Sequence, residues 1–396
     1  MSKIDELIKK LCPNGVEIKE LNEVIISLNT GLNPRKFFML NTEDALNYYV
    51  TIREMHGGKI IFTDKTDRIN DEALKLCNNR SNLERGDVLF SGTGTIGETV
   101  VIEETPHNWN IKEGVYTIKP NPAFIESRYL SYLLGTSEMR NHYMKKVAGG
   151  TVKSIPMAEL KKLKLPVPPL KVQYEIVRIL DCLTLLTTEL TTELTTELTT
   201  RKKQYEYYRD SLFKFDISIP KAMLSDVVTI KRGTRVVRNQ LMGIGRYPVY
   251  QNSMKPLGYY EESNCPANTT FIISAGAAGE IGYSYNDFWA ADDCFYLECS
   301  KSLKARYLYY ALLCQKNYIT SKVRKASVPR LDRLVVERLE IPVPSLSEQE
   351  RIVSVLDRFD MLCNDLSNGL PAEIEARQKQ YEYYRDRLLT FKELSE

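Results

Sequence analysis

Six residues, Gly92-Thr-Gly-Thr-Ile-Gly97, have the G-x-G-x-x-G spacing of a dinucleotide-binding loop and follow a strand-like Asp87-Val-Leu-Phe. In such a loop the glycines bring backbone N–H groups close to a pyrophosphate, which rests on the N-terminus of the helix that comes next. Here the next residues, Glu98-Thr-Val-Val-Ile, read as another strand, and a second glycine-rich stretch, Ser274-Ala-Gly-Ala-Ala-Gly-Glu-Ile-Gly282, carries its glycines in altered spacing and leads into Tyr283-Ser-Tyr. The expectation is therefore a tight strand-to-strand turn whose small residues admit a neighbouring strand or a phosphate.

Other reactive-looking groups carry less. Asn121-Pro-Ala-Phe124 is close to the Asn-Pro-Pro-Tyr/Phe motif with which amino-methyltransferases hold a flipped base, but it lacks the second proline, and no Asp/Glu-x-Gly-x-Gly segment for a methyl donor is present. The eight cysteines include no Cys-x-x-Cys pair and only three histidines accompany them, which is not metal-ligand spacing. Free, buried thiols and no metal are expected. The sequence also has no Walker sequence and no nucleophile elbow. These readings shift the weight from catalysis to binding, with no catalytic residue and no cofactor assigned to this chain.

The side chains suited to binding are concentrated between the strand-like runs. Lys231, Arg232, Arg235, Arg238, Asn239 and Gln240 fall within ten residues, and Gln251, Asn252 and Lys255 come next, beside Tyr250. Arginine matches guanine edges, Asn and Gln match adenine edges, and lysine chiefly neutralises phosphate. Arg324 and Lys325 extend the same set. In the first half Arg53, His56, Lys59, Lys65, Arg68 and Arg80 form a comparable stretch, Thr93 lies in the glycine turn, and Lys145, Lys146 and Lys153 flank Gly149-Gly150. Each charge alone is as well explained by a solvated surface; their concentration favours contact with DNA.

The elements that must hold these loops come in two copies. Leu163–Phe215 returns without a gap as Leu339–Phe391, 176 residues later, with 25 of 53 positions identical and the same closing heptapeptide, Gln-Tyr-Glu-Tyr-Tyr-Arg-Asp. The regions before each copy share only short phrases: Leu21-Asn-Glu-Val-Ile with Leu224-Ser-Asp-Val-Val, Arg128-Tyr-Leu with Arg306-Tyr-Leu, and Lys153-Ser-Ile-Pro with Ala326-Ser-Val-Pro. Each is expected to fold as a mixed α/β domain, since β-branched and aromatic runs broken by Gly, Asn and Pro give way to helical spacing. Pro166-Val-Pro-Pro-Leu and Pro342-Val-Pro-Ser-Leu read as rigid exits. After them, apolar residues at spacings of three, four or seven predict two amphipathic helices of about forty residues, or about 60 Å. Gln173, Ile176, Leu180, Tyr205 and Tyr208 in the first, and Gln349, Ile352, Leu356, Tyr381 and Tyr384 in the second, are the candidates for inter-helix or partner contacts. Helices so long need a partner, and an antiparallel coiled coil of the two copies is the simplest one. Thr187-Thr-Glu-Leu occurs three times in tandem to Leu198. Threonine is a poor helix former, so the repeat reads as a length adjuster: one unit adds about 6 Å and rotates the remainder of the helix by about 40°.

Length and composition fit this division. The 396 residues exceed what one core usually organises, and the expected parts are 1–165 (first globule), 166–215 (central helix), 216–341 (second globule) and 342–396 (C-terminal helix). No apolar run approaches a membrane span and the start lacks a signal-peptide core, so a cytoplasmic location is expected. From Lys221 to Glu340 there are 17 Lys and Arg against 11 Asp and Glu, while Pro166–Phe215 has seven of each. A neutral frame with a basic second module suits a polyanion. The residues leave three functions open: a DNA reader, a solitary adenine DNA methyltransferase, and a coiled-coil adaptor joining two protein-binding domains.

Two variable globules alternating with repeated helices, the Pro-Val-Pro-x-Leu-x-x-Gln-x-x-Ile-Val-x-x-Leu-Asp phrase at Pro166–Asp181 and Pro342–Asp357, the Thr-Thr-Glu-Leu tandem and the opening Leu11-Cys-Pro-Asn-Gly-Val-Glu together resemble the specificity subunit of a Type I restriction-modification system. The resemblance covers the whole chain. It implies two target recognition domains, each reading half of a bipartite DNA site, and a pseudo-twofold pair of helices that sets the spacer and docks two modification subunits. It implies further that S-adenosylmethionine belongs to those partners, which methylate adenine, and ATP with Mg to restriction subunits. The tandem here has threonine second where the related repeat has alanine, so no spacer length is inferred.

Overall fold

A computed structural model describes residues 3–34, 37–148, 153–216, 218–364 and 369–394. Gly149-Gly150, singled out in the sequence, and Leu366 of the second repeated segment lie outside these residues. The chain divides into two compact units, one made of residues 1–192 with 375–396 and the other of residues 193–374. Each therefore takes its globule together with parts of both repeated segments.

In the first unit the sheet has the order Ile25–Thr30, Val115–Pro120, Val88–Ser91, Thr99–Val101, and every neighbouring pair is antiparallel. In the second the order is Val228–Arg232, Cys294–Cys299, Thr269–Ile273, Ile281–Ser284, again antiparallel throughout. The inner strand Val88–Ser91 and its counterpart Thr269–Ile273 are buried at every residue, which is why Val88-Leu-Phe90 and Thr269–Ile273 are apolar or β-branched throughout rather than alternating with charged residues. A three-stranded sheet accompanies each: Arg68–Ile69, Asn47–Val50, Trp109–Ile111 in one, and Gly258–Tyr260, Tyr247–Tyr250, Trp289–Ala290 in the other, both with one antiparallel and one parallel pair. The two mixed α/β globules thus share one topology, as the scattered phrases led us to expect.

The proline exits are still strand where they begin. Lys164–Val167 pairs with Glu17–Glu20, and Glu340–Pro342 with Lys221–Met223; helix starts only at Leu170 and Leu346. The central helix Leu170–Leu212 is continuous over 43 residues. The second segment is not the single forty-residue helix expected. It forms Leu346–Asn364 and Leu370–Leu388, with Gly369 in a bend and Pro371 in the first turn of the latter. A proline ring clashes with the carbonyl four residues earlier, so Pro371 belongs at a helix start and not in its interior.

Within the first unit, Val172, Ile176 and Leu180 enter the globule's core beside Tyr129, Leu133 and Leu389. Farther out, the Thr184 and Tyr381 hydroxyls meet at 2.9 Å. One helix leaves that core as residue number rises and the other as it falls, so the pair is antiparallel. The second unit repeats this with exchanged roles. Ile352, Leu356 and Tyr205 lie in the core, Phe213 and Phe215 pack against it, and Tyr208 stacks on Phe359 at 5.5 Å. Ile176, Leu180, Ile352 and Leu356, candidates for inter-helix or partner contacts, lie buried in the cores of their units, where they tie each helix to its globule.

Candidate nucleic-acid interface

The glycine turns organise the loops. Gly94 and Gly276 adopt φ of +76° and +80°, and Gly97 and Gly279 adopt +101° and +89°, a region that favours glycine. Both turns join antiparallel strands, as expected, and the structure corrects their spacing: Gly94-x-x-Gly97-Glu98 matches Gly276-x-x-Gly279-Glu280 in its bonding. In each, the second glycine's N–H closes the turn, onto Ser91 O (3.0 Å) or Ile273 O (2.8 Å). No helix comes directly after either turn, so neither is a dinucleotide cradle.

In the second unit three loops meet around this turn. Asn252 O accepts from Ala277 N at 2.9 Å, and a Cβ added at Gly276 would lie 2.8 Å from that same oxygen. Residues 324–331 cross the other side, with Gly276 N donating to Pro329 O (3.1 Å) and Leu331 N to Ser274 O (2.8 Å). Asp292 joins the remaining loop, its carbonyl accepting from Arg232 Nε at 2.7 Å and its carboxylate from Gln251 Nε2 at 3.3 Å. Lys231 is engaged by Glu298 at 2.8 Å, whose hydrogen bond and charge raise the lysine's pKa. Gln240 caps its own short turn by accepting from Val237 N. Arg235, Arg238, Asn239, Lys255, Arg324 and Lys325 are exposed, and their side chains bond to no described residue.

The first unit gathers fewer of its candidates. Lys153 O accepts from Gly94 N (2.9 Å), Thr93 pairs with Ser154, and Ile52, beside Arg53, approaches Gly94. Arg53 is taken by Asp67 at 2.9 Å and Lys146 by Glu159 at 3.6 Å, while Arg68 lies over the Tyr48 ring. His56 and Lys59 face each other across a hairpin whose tip is Gly57-Gly58. Arg80 ends the helix Asp71–Arg80, which packs on Trp109–Ile111, and no bond brings it to the glycine turn. Thr93 is half-buried against Gly114.

The shared phrases are joints and not readers. Gln173 is fully buried; it accepts from Glu126 N and donates to Phe124 O and Pro168 O, each at 2.8 Å. Gln349 does the same with Lys304 N, Ser302 O and Pro344 O. Both side chains are spent on the N-terminus of a helix in the globule and on the proline exit. Tyr129 and Tyr307 donate to Pro166 O and Pro342 O, both at 3.0 Å. Arg128 bonds Asp181 and Glu103, and Arg306 bonds Asp357 and Asp360 inside a ring of Tyr283, Tyr285, Tyr309 and Tyr310. Burial alone would lower the Arg306 pKa, but Tyr310 and the two carboxylates overrule it and hold it raised.

Other groups have structural duties. Asn121 accepts from Ala123 N through its side chain and from Phe124 N and Ile125 N through its carbonyl, so Asn121-Pro-Ala-Phe124 is a turn leading into a helix. Burial pushes the thiols of Cys77 to about 11 and of Cys265, Cys299 and Cys314 to about 12. Among the described residues no group of His, Cys, Asp and Glu could hold a metal, and no helix is long and apolar enough to cross a membrane.

Arg330 escapes a reading of the sequence, and the backbone pairing explains why. Ser154 pairs with Ala148 and Thr93, while Arg330 pairs with Arg324 and Ala275. The counterpart of Ser154-Ile-Pro156 is therefore Arg330-Leu-Asp332, and the look-alike Ser327-Val-Pro329 is three residues out of register. Pro156 and Asp332 then both stand at the N-cap of the next short helix.

The family model described as "Type I restriction modification DNA specificity domain" matches residues 13–200 and 221–376. A Haemophilus influenzae chain named as a type I restriction enzyme specificity subunit is 32% identical over 373 residues, spanning 81% of this chain and 94% of its own length. The EcoprrI specificity subunit of Escherichia coli is 27% identical over 388 residues, 93% of each chain. Among solved structures, a chain from work on complex assembly and conformational transition of the type I R-M system matches with a TM-score of 0.67 at 17% identity, over 95% of this chain and 98% of that one.

Proposed function

Since the chain belongs to the family of Type I restriction-modification DNA specificity proteins, we propose that it is the sequence-reading subunit of such a system, each globule reading one half of a bipartite, asymmetric DNA site. The observation that carries this reading is the division of residues between joints and loops. Gln173 and Gln349, Tyr129 and Tyr307, and Arg128 and Arg306 make matching tethers in two globules of one topology, whereas the residues around the glycine turns differ in charge and size. One frame thus carries two dissimilar readers, so the two half-sites differ.

The chain binds DNA and assembles with the other subunits of the system, and two modification subunits dock on its helices. Support for two equivalent docking places comes from exposed apolar residues that recur at the 176-residue offset. Leu185 and Leu186 have Met361 and Leu362 as counterparts, and Tyr207 and Tyr208 have Tyr383 and Tyr384; all eight are exposed. Each unit holds one aliphatic pair and one tyrosine pair, and large apolar surface left in water is a mark of a partner. The chain itself is a reader and performs no step of the chemistry. S-adenosylmethionine belongs to the modification subunits, and ATP with Mg to the restriction subunits where these join.

The test is to express the chain with a modification subunit and map methylated adenines across the host genome. A split motif is expected. Exchanging residues 221–341 for those of another member should change one half of the motif and leave the other half and the spacer unaltered. An unsplit motif, or one indifferent to the exchange, would overturn the reading.

A further inference from the structure

Arg324 and Arg330 stand directly opposite each other. Arg324 N donates to Arg330 O at 2.8 Å and Arg330 N to Arg324 O at 3.2 Å, so the two form a hydrogen-bonded antiparallel pair and their side chains leave the same face. Like charges so placed repel and weaken the pairing. Neither arginine has an acidic partner among the described residues, both are exposed, and Lys325 beside them is equally unpaired. The backbone cannot relax the repulsion, because the same segment is pinned to the glycine turn by Gly276 N–Pro329 O and Leu331 N–Ser274 O. A concentrated positive charge held on rigid backbone, with no internal counter-ion, is built for an external anion.

The first unit has the same joint with no charge at either opposed position, although Lys153 stands exposed beside it. Its opposed pair is Ala148 and Ser154, bonded at 2.8 and 2.9 Å, and the segment is pinned to its glycine turn by Gly94 N–Lys153 O and Ile155 N–Gly92 O. The sequence between the joints agrees: residues 21–162 carry 18 Lys and Arg against 17 Asp and Glu, and the structurally matching residues 224–338 carry 16 against 10.

We infer that Arg324 and Arg330 together clamp a backbone phosphate of the duplex, and that this clamp belongs to the second module alone. The inference rests on the DNA-reading function proposed above. It divides the labour between the modules: the second supplies the larger share of sequence-independent, salt-sensitive affinity, and the first contributes to choice of sequence with little anchoring.

The experiment measures binding of the full chain, assembled with its modification subunits, to a duplex bearing its mapped site and to an unrelated duplex over a range of salt. Removing one protein–phosphate ion pair should make the plot of log affinity against log salt shallower by roughly 0.9. Arg324→Gln with Arg330→Gln is expected to weaken binding to both duplexes alike and to flatten the slope by roughly 1 to 2, with the methylation motif unchanged. Arg324→Lys with Arg330→Lys should keep the slope, and Ala148→Arg with Ser154→Arg should steepen it. An unchanged slope in the glutamine variant, or a second half-site with altered bases, overturns the clamp while leaving the split motif, and so the proposed function, standing. Absence of any split motif in the unaltered protein overturns both.

Discussion

Gln173 and Gln349 show how a single side chain can decide where a globule ends. Each amide is spent on three backbone groups, two at the approach to a helix in the globule and one at the proline exit, so the exit and the globule cannot separate without stranding buried polar atoms. An unsatisfied buried group costs about 1–3 kcal/mol, whereas an ordinary hydrogen bond is worth about 1 kcal/mol. Gln173→Ala is therefore expected to destabilise the first unit by about 3 kcal/mol, read in denaturant unfolding, with hydrogen exchange accelerated around residues 124–127 and 168–173. Gln349→Ala should do the same in the second unit. A loss under about 0.5 kcal/mol would show that water replaces the amide.

At the scale of elements the two repeated segments are less alike than their sequences. The tandem is helix although threonine favours other conformations, and its hydroxyls are satisfied by carbonyls four residues back, Thr191 to Thr187 O, Thr192 to Thr188 O and Thr199 to Thr195 O, bonds that do not themselves strengthen a helix. Its leucines form no buried seam: Leu190 is exposed and Leu194 and Leu198 are half-buried. A stretch with so little side-chain packing tolerates changes in length. The second segment has a break at Gly369 where the first is continuous. Deleting one Thr-Thr-Glu-Leu shortens the helix by about 6 Å. The methylated motif should then lose about one or two base pairs of unread spacer while both half-sites stay the same. An altered half-site would show that the helix does more than measure.

At the scale of the molecule, the end of the chain closes on its beginning within the first unit. Val16 N donates to Lys392 O and Leu394 N to Val16 O, both at 2.9 Å, a Cβ on Gly15 would collide with Glu393 O, and Leu389 is 3% exposed in the core that holds Tyr129 and Ile176. Asp386 also accepts from Ser137 N, at the start of the helix Ser137–Met144. In the second unit Phe213 and Phe215 fill the matching place from the end of the central helix. Leu389→Ala should therefore destabilise the first unit by about 2–4 kcal/mol. Hydrogen exchange should show weakened protection over residues 12–20 and no change over residues 224–340; equal weakening in both would mean that the segment does not belong to one globule.

Much of this was legible in the residues. The ungapped repeat established two related units and two helical segments, because helical periodicity and internal identity are local properties of a string. The glycine turns came from the strand-like Glu98-Thr-Val-Val-Ile, whereas the function class came from the family resemblance carried by the repeated proline phrase and the tandem, since the cations grouped in loops left three functions open. Tertiary structure alone decided the rest. Ile176 and Leu180 are apolar at helical spacing whether they face a second helix or a globule, and only packing chose the globule. The break was available in Gly369 and Pro371, but the ungapped repeat of a continuous helix pointed the other way. Arg330 was hidden because Ser327-Val-Pro329 imitates Ser154-Ile-Pro156, and only backbone pairing, which is set by hydrogen bonds between distant segments, restored the true register and placed two arginines face to face.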